Sequence, residues 1–238
     1  MCSCGGKRPS KPKSTAVLTC PDKPWDVQCI LDIFCKGDAE DREVVKKLPR
    51  LTIHNRNTKQ VHFKKYQGGT WVEGGFTSGG SASGKEVWVN ADTKCCDAAA
   101  TFFHEVAHTD QPSDMAGSQR EYDAYTKAEQ WKIKKGLPPM DPSFRKKAKD
   151  PKDPSKEIEV PNGDGIKTFV DTHYAYNPPT PLGGGAPPPR VLGLAPDGDS
   201  VRLSDGTTRP PKEGDSYRLP DTGGEVLETI DPARWKCS

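Results

Sequence analysis

Residues 97–111, Asp-Ala-Ala-Ala-Thr-Phe-Phe-His-Glu-Val-Ala-His-Thr-Asp-Gln, constrain this chain more than any other stretch. They predict a helix. Asp97 is a favourable N-cap, three alanines of high helix propensity follow it, and Pro112 opposes continuation past Gln111. Residues four apart on a helix lie one turn above each other, so His104 and His108 present two imidazoles on one face, where they can grip a single metal ion. Glu105 lies about 100° further round, placed to reach a water beside such an ion rather than the ion. Phe102, Phe103, Val106 and Ala107 remain for the core, which predicts a buried, rigid element of the kind a metal site needs.

The rest of the chain has little apolar material to surround that helix. Only 32% of its 238 residues are hydrophobic, against 23 glycines and 23 prolines, which predicts a modest core with much loop. The formal charge of +2 gives no case for nucleic acid as a partner. No apolar run approaches the roughly 18 to 20 residues of a membrane span. The opening Met-Cys-Ser-Cys-Gly-Gly-Lys-Arg-Pro lacks the apolar centre of a secretory signal peptide, so export is expected by another route, or from a longer precursor. Eight cysteines, Cys2, Cys4, Cys20, Cys29, Cys35, Cys95, Cys96 and Cys237, suggest disulfides and an oxidising compartment. Their connectivity is not readable, but Cys95 and Cys96 stand just before the helix, and a bridge from there to the N-terminal region is expected.

Along the chain, residues 1–19 read as a flexible basic arm. Residues 25–34 carry Trp25, Val27, Ile30, Leu31, Ile33 and Phe34 and predict a short core helix, and 38–48 a surface helix ended by Pro49. Apolar and polar residues then alternate at 51–55, 61–63 and 70–73, predicting strands, with His54 and His62 as surface histidines rather than ligands. Residues 77–84, rich in serine and glycine, read as a flexible turn, and 86–90 as a strand directly before the metal-binding helix. Residues 118–135 predict a second helix ending at Gly136. The charged, proline-punctuated run 138–154 reads as an exposed loop. Residues 178–189 read as a Pro/Gly linker, separating a domain at 20–177 from a small β-rich C-terminal module at 190–238.

A strand, a short loop, the His104-Glu105-x-x-His108 helix and a second helix bearing a glutamate together resemble the gluzincin branch of the zincin metallopeptidases. The resemblance implies an α+β fold: a small antiparallel or mixed sheet, an active-site helix and a glutamate helix, here with a C-terminal β appendage. It also implies that 86–90 edges the cleft and pairs with an extended peptide. Zn2+ is the implied cofactor, and such a zinc takes three protein ligands and leaves a fourth place for water. Glu121 and Ala124 resemble the Glu-x-x-Ala pattern of the second helix in several gluzincins, the CAAX prenyl proteases among them, which makes Glu121 a third ligand beside His104 and His108. Where that pattern often continues with an aspartate, this chain has Tyr125. Asp114 is the alternative, at metzincin-like spacing, although Gln111 and Pro112 stand where the turn favours glycine. Asp123 is a more distant candidate.

The chemistry the resemblance implies is hydrolysis of a peptide bond by a metal-activated water, with Glu105 as general base. A further donor to the oxyanion is sought among His173, Tyr174 and Tyr176, with His173 and Tyr174 the named candidates. A domain of this kind with cysteines and no signal peptide is similar to metallopeptidase domains of bacterial polymorphic toxins and secretion-system effectors. That likeness implies a translocated enzyme acting in a compartment such as the periplasm on a protein or peptidoglycan peptide. Its partners would be a cognate immunity protein or a component of a secretion apparatus. A housekeeping extracellular or periplasmic processing peptidase, and a non-catalytic binding protein braced by its metal, are the other readings.

Overall fold

The structure, a computed structural model, describes residues 18–112, 114–115, 117–174 and 189–237. Most of the arm expected at 1–19, with Cys2 and Cys4, lies outside the described residues, as do Tyr176 and all of the expected linker but Pro189. The fold is mixed α+β, with five α-helices and several small sheets among the described residues. In chain order these are α1 (Val27–Cys35), α2 (Ala39–Lys47), β1 (Thr52–Arg56), β2 (Lys59–Gln67), β3 (Thr70–Ser78), β4 (Gly80–Ser83), β5 (Glu86–Asn90), α3 (Cys95–Thr109) and α4 (Gly117–Lys135). Then follow β6 (Arg145–Asp150), β7 (Asp153–Pro161), α5 (Gly163–His173), β8 (Val191–Leu194), β9 (Val201–Leu203), β10 (Thr208–Arg209), β11 (Ser216–Arg218), β12 (Thr222–Gly223) and β13 (Val226–Ile230).

The helix ends follow local chemistry. Asp26 caps α1 through the Cys29 amide, and Asp38 and Asp41 form a reciprocal capping box on α2. α4 stops at Gly136, whose φ of +68° suits only glycine well, and the Leu137 amide reaches back to the Lys132 carbonyl in a Schellman arrangement. α3 begins three residues earlier than an Asp97 N-cap predicts. Lys94 is its N-cap without a side-chain bond, and Asp97 lies within the first turn, its carboxylate 3.4 Å from Lys132 Nζ. The disulfides Cys20–Cys96 and Cys29–Cys95 do the tethering a cap would otherwise do, so the expected bridge to the N-terminal region is present twice. Cys35–Cys237 ties α1 to the chain's last described residue. Three disulfides point to an oxidising, extracellular-type environment, and no described helix is long and apolar enough to cross a membrane.

α3 is the centre of the core. Every residue from Cys95 to Ala107 except Asp97 is buried, against α1, α2, α4 and the sheet β13-β1-β5-β4. In that sheet β1 and β5 run parallel, while β13 and β4 flank them antiparallel. β5 is therefore an interior strand, and the expectation that residues 86–90 edge the cleft is corrected. The edge belongs to β4, inside the stretch read as a flexible turn. Gly80 explains the difference: a Cβ there would stand 2.4 Å from Thr101 Cγ2 and 2.7 Å from Glu105 Oε1, so the strand lies on α3 at a distance only glycine allows.

Two further stretches differ from their sequence reading. Residues 145–161, within and beyond the expected loop, form the hairpin β6–β7, whose charges obscure its alternation because both faces are largely solvated. The segment 190–238, expected as a separate appendage, is woven into the rest. β11 and β12 pair with β2, and β13 pairs with β1. Trp235 is 1% exposed and packs edge-on against Phe102 of α3 at 5.6 Å. β8, β9 and β10 make a sheet of their own. Trp235→Ala is expected to destabilise the whole protein by about 3–5 kcal/mol, seen as a lower urea midpoint in a single cooperative transition; a separate early transition of the C-terminal segment would contradict this integration.

Candidate metal centre

Helix periodicity puts His104 and His108 on the face of α3 that meets α4. Their Nε2 atoms are 3.1 Å apart. α4 crosses close by because Ala124 and Ala128 are fully buried at the contact, and it brings Glu121 to the pair. Glu121 Oε2 lies 3.4 Å from His104 Nε2, and Oε1 lies 3.7 Å from His108 Nε2. His104, His108 and Glu121 form a group whose ligand atoms all fall within 4.8 Å of one another, and it can hold a metal ion.

The hydrogen bonds around the group favour that use. Gln111 spends its amide hydrogens on the Arg120 carbonyl, at 2.8 Å, and Asp123 Oδ2, at 3.0 Å, which leaves Oε1 as acceptor for His108 Nδ1 at 2.9 Å. The proton of a neutral His108 is thereby placed on Nδ1, and the Nε2 lone pair faces His104 and Glu121. His104 Nδ1 and Glu121 Oε2 are buried with no hydrogen-bond partner among the described residues. Burial alone would raise the Glu121 carboxyl, but with a proton rather than a metal ion at the pair, hydrogen bonds and positive charge from His104 and His108 outweigh it and hold it at about 2. The carboxylate is thus ready as an anionic ligand over the whole physiological range.

Glu105 stands beside the group without joining it. It is 4% exposed, and burial raises its pKa, opposed by His104 and His108. Beneath the edge strand, Arg56 is 2% exposed and donates to Asn90 Oδ1 at 3.0 Å and Ser81 Oγ at 2.9 Å, with Ser78 Oγ at 3.2 Å. The site opens into a cleft of about 810 Å³. It is lined by β4, by Phe76 and Ser78 of β3, and by Tyr125, Phe169 and Tyr174, the Phe76 and Tyr174 rings meeting at 5.8 Å.

The other sequence candidates fall elsewhere. Asp114 is exposed and outside the ligand group, and Asp123 serves Gln111 and Lys127. His54 bonds Thr229 Oγ1 and His62 bonds Thr222 Oγ1, both at 3.0 Å on strands away from the group. Tyr174 lines the cleft, its hydroxyl 2.9 Å from that of Tyr125, whose ring centroid is 4.4 Å from that of His104. Burial first, then the neighbouring Tyr125 and Glu121, push the Tyr174 phenol well above its usual range, so it remains a proton donor. His173 is not among the cleft's lining residues; its Nδ1 faces the Phe169 carbonyl at 2.9 Å and its ring stacks on Phe169. Sequence reading missed Gln111, Arg120, Gly80 and Arg56. For Gln111 a signal existed: it lies three residues beyond His108, within reach of that imidazole at a helix end.

Against known proteins, the chain matches no family model, no curated protein and no solved structure.

Gln111→Ala is expected to weaken divalent-ion affinity by about 10- to 100-fold, measured by competition with a chelating dye; unchanged affinity would remove Gln111 from the centre. Gly80→Ala is expected to cost about 1–3 kcal/mol of stability through overpacking, read as a lower denaturation midpoint.

Proposed function

We propose that the protein is a zinc-dependent peptidase of the gluzincin type, exported to an oxidising compartment, where it acts as an effector or toxin. One observation carries the catalytic part: two imidazole nitrogens and a carboxylate converge while a second, buried carboxylate stands beside them unused as a ligand. The donor set fits zinc. Ligand atoms around a tetrahedral ion with bonds of about 2.0–2.1 Å lie roughly 3.3 Å apart, and the separations here are 3.1, 3.4 and 3.7 Å. Three protein ligands are the number a catalytic zinc takes.

Bound there, zinc supplies Lewis acidity, acidifying water and polarising a carbonyl. Glu105 takes the proton of the attacking water and hands it to the leaving amine, a transfer its raised pKa favours. Tyr174, protonated and facing the cleft, donates to the oxyanion. The edge of β4, unpaired among the described residues, would offer backbone groups to an extended substrate lying over α3. The three disulfides support export, and the effector reading follows from it and from the likeness of the His-Glu-x-x-His domain to exported toxin peptidases.

Glu105→Gln separates catalysis from metal binding. The variant is expected to retain stoichiometric zinc by atomic absorption and to lose hydrolysis of unfolded casein by about 10²- to 10⁴-fold. Undiminished hydrolysis with zinc retained would overturn the mechanism. Directed to the periplasm of a test bacterium, the native protein is expected to arrest growth and Glu105→Gln to spare it.

A further inference from the structure

The wall of the cleft beside β4 is one face of the sheet built on β2. Side chains alternate along a strand, so Lys59 and Val61 share that face, and their partners across β3, Ser78 and Phe76, share it too. β11 adds Arg218, which pairs with Phe63 on the same alternation. Lys59, Val61, Phe76, Ser78 and Arg218 all line the cleft. The wall therefore carries Lys59 and Arg218 to either side of Val61, which is buried, and of Phe76, whose ring packs on Tyr174 at 5.8 Å.

On this wall two cations meet at one carboxylate. Asp221 is their shared counter-ion, 2.7 Å from Lys59 Nζ, and bridged by Arg218 through Nε at 3.0 Å and NH2 at 2.6 Å. One carboxylate thus serves two cations, and the trio keeps a unit of positive charge. Arg56, buried behind the β3–β4 corner, also feels Asp221. Arg120 also lines the cleft, and among the described residues the lining carboxylates are Glu105 and Glu121, of which Glu121 belongs to the ligand group. Lys59 pairs with Ser78, two residues before Gly80, and Gly80 packs on Glu105. A chain lying along β4 over the centre would pass the Lys59–Arg218 wall within a few residues of the bond being cut.

We infer that this cleft selects acidic peptides, with Lys59 and Arg218 receiving aspartate or glutamate side chains on the side of the scissile bond next to the β3–β4 corner. The assignment rests on the peptidase reading above. Low-dielectric walls focus such a field and raise the local concentration of a ligand of opposite charge.

The test uses the zinc-loaded full chain and a peptide library from a digested bacterial proteome, with cleaved bonds mapped by mass spectrometry. Asp and Glu are expected to be enriched over Lys and Arg by roughly tenfold within about three residues on one side of the cut. The bias should fall as salt rises, vanish in the double variant Lys59→Gln/Arg218→Gln, and grow in Asp221→Asn. Because the bias is a ratio within one sample, partial unfolding of a variant does not imitate it. A cut library without acidic bias, or a bias that survives the double variant, overturns the inference and leaves the peptidase standing. Fluorescein-labelled oligo-glutamate and oligo-lysine binding to Glu105→Gln, read by anisotropy, separates the two claims. An uncut library with preferential oligo-glutamate binding lost in the double variant would overturn the peptidase and keep the acidic ligand, and an uncut library without that preference would overturn both.

Discussion

Three electron-rich atoms, two imidazole nitrogens and a carboxylate oxygen, share a pocket a few ångströms across, walled by buried side chains. Left to themselves they repel unless something positive lies among them. A proton can relieve one pair, since one Nε2–H can point at the other nitrogen or at Glu121. The Gln111 bond directs the proton of a neutral His108 to the opposite ring nitrogen and so works against that relief. Burial lowers the His108 pKa, but Glu121, Glu105 and Gln111 outweigh it and raise it, so a proton and a metal ion compete for the same place, while His104 Nδ1 and Glu121 Oε2 have no hydrogen-bond partner among the described residues.

Holding that arrangement requires two helices to be fixed to within a fraction of an ångström, and the chain has few apolar residues with which to do so. It uses covalent and aromatic ties instead. Cys95 and Cys96 moor the start of α3 to two points of the N-terminal segment. Trp25 and Trp235, from opposite ends of the sequence, both stand edge-on to Phe102. α4 is fixed by Trp131, which stacks on Phe103 and donates to the buried carboxylate of Asp41 at 2.6 Å. The two disulfides close separations of 76 and 66 residues and so remove conformational freedom from the unfolded chain, while the aromatic and hydrogen-bonded ties act only in the folded one.

What was legible in the sequence follows from the range of the interactions concerned. The α3 helix, its histidine pair and the strand before it are local patterns, and Glu121 was reachable because the helix that carries it is also local. The closing of the centre by Gln111 depends on how a helix end turns, and on Arg120 and Asp123 being within reach, which spacing does not report. Strand order is less local still. β5 reads as an edge strand only if nothing follows it outward, and the strand that does is made of glycine and serine, the residues sequence reasoning assigns to turns. In the same way, charges on both faces of β6 and β7 hide their period, and strands after residue 190 read as a separate unit because nothing in their pattern reveals that β1 and β2 are their partners.

The low β-propensity of β4 has a compensation that links fold to chemistry. Large side chains would strengthen the strand, but Gly80 has no room for one against Thr101 and Glu105. Arg56 supplies the missing support from beneath, donating to Ser81 and to Ser78 at the corner where β3 becomes β4, and so holds the strand by side-chain bonds to small residues. A buried guanidinium is costly unless its field is used. Here Glu105 and Asp221 both lie within that field, so the charge that pins the strand also opposes the burial that raises Glu105. One residue thus bears both on the position of the strand and, less than burial and the two histidines, on the basicity of the buried carboxylate.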